Sequence, residues 1–135
     1  MKNENKIEFE KIPIDVSYGK TINDIFIVIK NGRCKVLDAL SSLEKKDRED
    51  IIDIISRLAT IVNFKSPKVR AKLNKYNYGE IKPKGHRVFY FKKYGNYIIL
   101  FDYSIKKKNS LGDSVYKKLE KEKQYYEQEF ERIYK

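Results

Sequence analysis

Cationic side chains at the ends of two strand-like segments are the residues of this sequence best suited to chemistry. Arg87 lies in the alternating segment 86–92, and Lys106-Lys107-Lys108 follows shortly after the apolar segment 97–103. Tyr94-Gly95-Asn96 separates the two segments as a hairpin turn would. Because hairpin strands are antiparallel, the sequence predicts that Arg87 and the lysines lie at the same open end. Clustered cations of this kind can hold a phosphodiester and stabilise negative charge that develops on it.

Further lysines surround this predicted hairpin. Lys82 and Lys84 precede its first strand and approach its open end, whereas Lys92 and Lys93 border its turn. A run of charged residues most often forms only a solvated surface. The positions of these lysines are therefore more informative about function than their number. The lysines predicted to contact a nucleic acid, in addition to the reactive set, are Lys82, Lys84, Lys92, Lys93 and Lys108.

Proton transfer would require another group beside these cations. His86, the single histidine, is a candidate general base, although in a regular strand it points away from Arg87, which favours a surface role. Tyr116 begins the last helical segment and either reaches over the cations or packs against the sheet. The structural alternative for Arg87 is an ion pair with Glu80 or Asp102, two carboxylates whose spacing does not mark a catalytic pair.

The overall composition favours an anionic partner. The 135-residue chain has a formal net charge of +11, which suits a nucleic acid, an anionic membrane surface or an acidic protein as a partner. Alternatively, the lysines only keep the protein solvated. The single cysteine, Cys34, excludes an internal disulfide, and no metal site or cofactor is predicted. No apolar run approaches the ~20 residues of a membrane span, and no signal peptide is recognisable. We therefore expect a cytoplasmic, soluble protein without membrane partners.

The apolar pattern predicts one small α+β domain (23–135) with an N-terminal extension (1–22) that is either an edge strand or a loosely docked arm. A strand at 25–29 precedes two helices, the second of which has Asp47 as its expected N-cap and ends at Ser66-Pro67. Further strands and a helix from Leu111 onward complete the pattern. We expect a mainly antiparallel sheet of about four strands, with two N-terminal helices and a C-terminal helix against one face.

These residues resemble a known family, the toxins of the RelE/ParE superfamily, and are most similar to its HigB branch. The resemblance rests on the strand from Arg87 to Phe91, the apolar strand that follows it, the lysines after that strand and the charged last helix. Upstream, the segment Asp38 to Leu43, the isoleucine-rich helix and Lys72-Leu73 follow the family order. The similarity spans about residues 23–130 and implies a RelE-like fold.

The resemblance also implies an activity and partners. It implies a toxin of a type II toxin–antitoxin pair that cleaves mRNA on the ribosome and is neutralised by a cognate antitoxin, expected to be a helix-turn-helix protein. Arg87 would contact the scissile phosphate, Lys106 and Lys107 would form the basic pair, and Tyr116 would match a tyrosine of some members. Asp102 stands where the branch often has a histidine, which leaves the general base open.

Two other functions fit the same residues. One is the gyrase-poisoning branch of the superfamily, whose members bind a protein and do not cut RNA. The other is a basic nucleic-acid-binding module without catalysis, which requires only the charge.

Overall fold

The computed structural model of the protein describes residues 6–14, 21–61, 69–70, 78–82, 85–105 and 113–134. It confirms a small α+β domain. In chain order the elements are β1 (Ile7–Ile12), β2 (Asp24–Lys30), α1 (Lys35–Ser42), α2 (Lys45–Thr60), β3 (Val69–Arg70), β4 (Gly79–Ile81), β5 (His86–Lys93), β6 (Tyr97–Ile105) and α3 (Asp113–Ile133).

The strands form one sheet in the order β1-β2-β6-β5-β4-β3. All neighbours are antiparallel except β2 and β6, which run parallel. The described residues thus contain six strands where the sequence predicted about four. The additions lie at the two edges: β1 comes from the N-terminal extension, and β3 has only two residues. The extension therefore contributes an edge strand, one of the two possibilities the sequence left open.

Helices cover both faces of the sheet, so the expectation that they share one face is wrong. α1 and α2 pack on an aliphatic face that includes Ile25, Ile27 and Leu100. α3 packs on an aromatic face that includes Phe26 and Phe91. The reason lies in the central strands, each of which contains a run of at least four consecutive apolar residues (25–29, 88–91 and 98–101). A strand that is apolar on both sides must be covered on both sides.

Two helix boundaries differ from the predicted ones. α2 begins at Lys45 with Glu44 as its N-cap, so Asp47 lies in the first turn and is not the cap. There it still complements the helix dipole. The helix ends at Thr60, before the predicted stop at Ser66-Pro67, which lies outside the described residues.

The β5–β6 hairpin forms as predicted and contains one irregularity. Its turn has Tyr94 at φ 53° and Gly95 at φ 82°, the left-handed pair that suits a two-residue hairpin turn. Phe89 pairs with Asp102, but the next residue of β5 pairs with Leu100, which leaves Phe101 as a bulge. Arg87 consequently lies opposite Ser104, one residue before the end of β6. The bulge turns both Phe101 and Asp102 towards α3.

Candidate nucleic-acid interface

Arg87 lies at the open end of the β5–β6 hairpin, on the face covered by α3. Its neighbour Val88 belongs to the aliphatic core, whereas Phe89, two residues on, belongs to the aromatic core. Arg87 is buried, with 7% of its surface exposed, and its Nη1 donates a hydrogen bond to the backbone oxygen of His86 at 2.8 Å. A guanidinium in this position is fixed by the sheet and cannot act as a proton acceptor.

A buried carboxylate and a tyrosine share this face with Arg87. Glu80 pairs with Phe89 from β4 and is 1% exposed. The Tyr116 hydroxyl donates to Oε2 of Glu80 at 3.5 Å, and the backbone oxygen of Tyr116 accepts a hydrogen bond from Tyr78. Tyr116 thus packs against the sheet, as one of its two interpretations from the sequence proposed.

The lysines predicted to complete this site are only partly described. Lys82 follows β4 directly and is half-buried. β6 ends at Ile105, which pairs with His86 next to Arg87, and Lys106 is the next residue in sequence. The predicted positions of Lys84, Lys106, Lys107 and Lys108 fall outside the described residues. Within the described part, the open end therefore combines Arg87 and Lys82 with Glu80 and Tyr116.

His86 lies on the opposite face from Arg87, as the strand alternation predicted. Its Nδ1 is 2.6 Å from the Tyr103 hydroxyl and its Nε2 is 3.3 Å from Oδ2 of Asp47 in α2. One tautomer satisfies both contacts, with the hydroxyl donating to Nδ1 and Nε2–H donating to the carboxylate. His86 is therefore a bonded, half-buried residue and not the surface histidine that the sequence favoured. It is not brought together with Arg87 and Tyr116.

Lys92 and Lys93 lie at the turn end of the hairpin, roughly 20 Å along β5 from Arg87 at about 3.3 Å per residue. Lys93 is ion-paired with Glu127 at 3.3 Å and also contacts the carboxylate of Glu131. The hydrogen bond to Glu131 raises the pKa of Lys93. Lys92 is exposed, so it is the member of this pair available to a polyanion.

A carboxyl pair on the α3 face was not recognised in the sequence. The bulge brings Asp102 next to Glu122 of α3, close enough for the two carboxyl groups to share a proton. Lys35 lies between them, with its Nζ 3.5 Å from Oδ2 of Asp102 and 3.7 Å from Oε1 of Glu122. Burial, together with the Asp102 carboxylate, raises the pKa of Glu122 to about 7. Asp102 thus has Lys35 as an ion-pair partner, which the sequence did not predict.

Glu122 makes protein stability depend on pH. Between about pH 4.5 and 7 the folded state binds more protons than the unfolded state, so stability falls as pH rises through this range. We expect Glu122→Gln to raise the free energy of unfolding by about 1–3 kcal/mol at pH 8 and to change it little at pH 5. Urea unfolding at both pH values measures this effect. The control is Glu49→Gln, which removes an exposed carboxylate. Parallel stability curves for the wild type and Glu122→Gln would contradict the expectation.

Comparisons with known proteins do not test the resemblance to the RelE/ParE superfamily, which rests on the residues of this sequence alone. No protein-family model and no curated protein sequence matches the chain. No helix in the described part is long and apolar enough to cross a membrane. No group of three or more histidine, cysteine or acidic residues in the described ranges is arranged to hold a metal ion.

Proposed function

We propose that this protein is the toxin of a type II toxin–antitoxin pair and cleaves ribosome-bound mRNA without a metal ion. The observation that carries the proposal is the position of Arg87. It lies at the open end of the β5–β6 hairpin, opposite the strand end after which Lys106 and Lys107 follow in sequence, and Tyr116 contacts Phe89 and Glu80 on the same face of the sheet. The net charge of +11 supports a polyanionic substrate.

The chemistry follows from these side chains. The ribose 2′-hydroxyl attacks the adjacent phosphorus, the bond to the 5′-oxygen of the next nucleotide breaks, and the products carry a 2′,3′-cyclic phosphate and a 5′-hydroxyl. Arg87 and the lysine pair would stabilise the negative charge that accumulates on the phosphorane oxygens. The hydroxyl of Tyr116 is a candidate to move a proton to or from the reacting oxygens, a contribution of about 10²–10⁴-fold.

The proposed activity implies a cellular location and two partners, the ribosome and an antitoxin. The substrate places it in the cytoplasm with the ribosome, and growth of the producing cell requires a neutralising antitoxin, for which we propose a helix-turn-helix protein. Arg87 is buried, with 7% of its surface exposed. Contact with the substrate therefore requires a local rearrangement around this side chain.

A translation reaction programmed with one defined mRNA tests this function. We expect the purified protein to generate discrete mRNA fragments whose 5′ ends are hydroxyls and whose 3′ ends carry cyclic phosphates. Relaxation and supercoiling by DNA gyrase, assayed in parallel, should remain unchanged. Intact mRNA together with inhibited gyrase would favour the gyrase-poisoning alternative and contradict ours.

One observation favours a second candidate, a basic nucleic-acid-binding module without catalysis. Arg87 is 7% exposed and shares its face with the buried Glu80, an environment that also suits a purely structural ion pair. The translation reaction described above also distinguishes the two candidates. A module of this kind would retain RNA in a filter-binding assay and leave every mRNA uncut.

A further inference from the structure

A pocket of about 250 Å³ lies between the β2–α1 turn and the middle of α3. It is distinct from the Arg87 end of the hairpin. Basic side chains surround it together with one acidic residue, and its apolar walls are aromatic and aliphatic. The lining residues are Val28, Lys30, Arg33, Lys35, Asp38, Phe101 and Tyr126.

The pocket exists because two parallel strands separate. β2 and β6 pair from Asp24–Tyr97 to Ile27–Leu100, and the bulge at Phe101 follows immediately. Beyond this point the carboxyl ends of both strands border a crevice, the place where open sheets with parallel strands most often bind ligands. The side chains of Val28 and Phe101 line the wall of this crevice.

A tight turn places two cations on the rim of the crevice. Lys30 and Arg33 exchange two backbone hydrogen bonds, of 2.8 and 3.0 Å, around a turn in which Asn31 and Gly32 both have positive φ. Among the described residues, neither Lys30 nor Arg33 has a carboxylate within ion-pair distance. Two cations on one short turn are suited to hold a doubly charged anion.

The carboxyl pair lies directly behind this rim. Lys35, a lining residue, contacts both Asp102 and Glu122. Oε1 of Glu122 is buried and has no hydrogen-bond partner at normal distance, and its near neighbour is Nζ of Lys35 at 3.7 Å. The two carboxyl groups thus hold Lys35 at the edge of the pocket, where its positive charge faces the same space as Lys30 and Arg33.

We propose that this pocket binds a phosphomonoester group, carried either by a free nucleotide or by a phosphorylated RNA end. Lys30 and Arg33 would bind the phosphate oxygens and Lys35 would add a third positive charge. Phe101 and Tyr126 would contact the attached sugar or base. A volume of about 250 Å³ is small for a ligand pocket, so it would enclose the phosphate and part of the attached nucleoside while the rest of the ligand stays outside. This site does not involve Arg87 and stands or falls independently of the proposed cleavage.

Binding of adenosine 5′-monophosphate to the full-length protein, measured by calorimetry, tests the proposal. We expect it to bind about 10- to 100-fold more tightly than adenosine because the phosphate supplies the charge-assisted hydrogen bonds. The double variant Lys30→Gln/Arg33→Gln should remove this advantage. Lys45→Gln/Lys46→Gln removes two exposed charges from the start of α2 and should leave it within about twofold.

Two outcomes would overturn the proposal: equal affinity for adenosine and its monophosphate, or equal losses in the two double variants. The source of the phosphate is resolved by a tetraribonucleotide with and without a 5′-phosphate. If the phosphorylated strand binds more tightly than the mononucleotide, the site recognises an RNA end. If it binds more weakly, the ligand is a free nucleotide, and the phosphomonoester site stands in both cases.

Discussion

Arg87→Ala is expected to lower the rate of mRNA cleavage by about 10²–10³-fold, the usual cost of removing one group that stabilises transition-state charge. The growth arrest caused by the wild-type protein should disappear with it. The expectation rests on the position of Arg87 at the open end of the hairpin, close in sequence and register to the strand end that precedes Lys106 and Lys107. Cleavage rates are measured in the translation reaction, and growth is followed after induction at equal protein abundance.

The burial of Arg87 requires a control for folding. Removing a buried partner can destabilise a protein by about 3–5 kcal/mol, and Glu80 would remain buried on the same face. Arg87→Lys retains the charge but loses the planar donor geometry, so it should keep the fold while still losing activity. Arg48→Ala is the matched arginine truncation. Arg48 is half-buried in α2, on the other face of the sheet, and this variant should cleave normally. Growth arrest by folded Arg87→Ala protein would contradict the site.

The sequence predicted the elements of this fold better than their layering. Short apolar segments on both sides of the turn residues Tyr94-Gly95-Asn96 were sufficient to predict β5 and β6. The layering depends on whether a strand is apolar on both sides. The segment Ile25-Phe26-Ile27-Val28 is apolar on both sides, so the sequence indicates that both faces of this strand are covered. It does not indicate whether a helix or a second sheet covers each face. Only the packing of α3 against Phe26 and Val28 decides this.

Only those features of the site that depend on the side-chain periodicity of a single strand could be predicted from the sequence. The opposite orientations of Arg87 and His86 follow from strand alternation alone. The Asp102–Glu122 pair depends on a bulge that has no marker in the sequence. One signal for Glu122 does exist, since Leu119 and Tyr126 define the buried stripe of α3 and a charged pair, Glu122-Lys123, fills the turn between them. A charge in the middle of an apolar stripe indicates a buried partner on the facing element.

Phe130→Ala should destabilise the protein by about 3–5 kcal/mol, because it empties the centre of the aromatic core. Phe130 has no exposed surface and its ring lies 4.9 Å from Phe9, 5.3 Å from Phe26 and 4.5 Å from Tyr134. These neighbours belong to β1, β2 and the end of the chain, so one ring joins the edge of the sheet to α3. A loss of this size is a large part of the ~5–15 kcal/mol typical of a folded domain.

Denaturant unfolding of two companion variants separates this effect from a general weakening of α3. Phe130→Leu retains most of the buried volume and should cost clearly less than the alanine variant. Ile133→Ala shortens a residue that is 43% exposed, one turn further along the same helix, and should cost less than about 1 kcal/mol. Equal losses for Phe130→Ala and Ile133→Ala would mean that the C-terminal half of α3 contributes through helix formation alone. In that case Phe130 would not be the residue that holds α3 on the sheet.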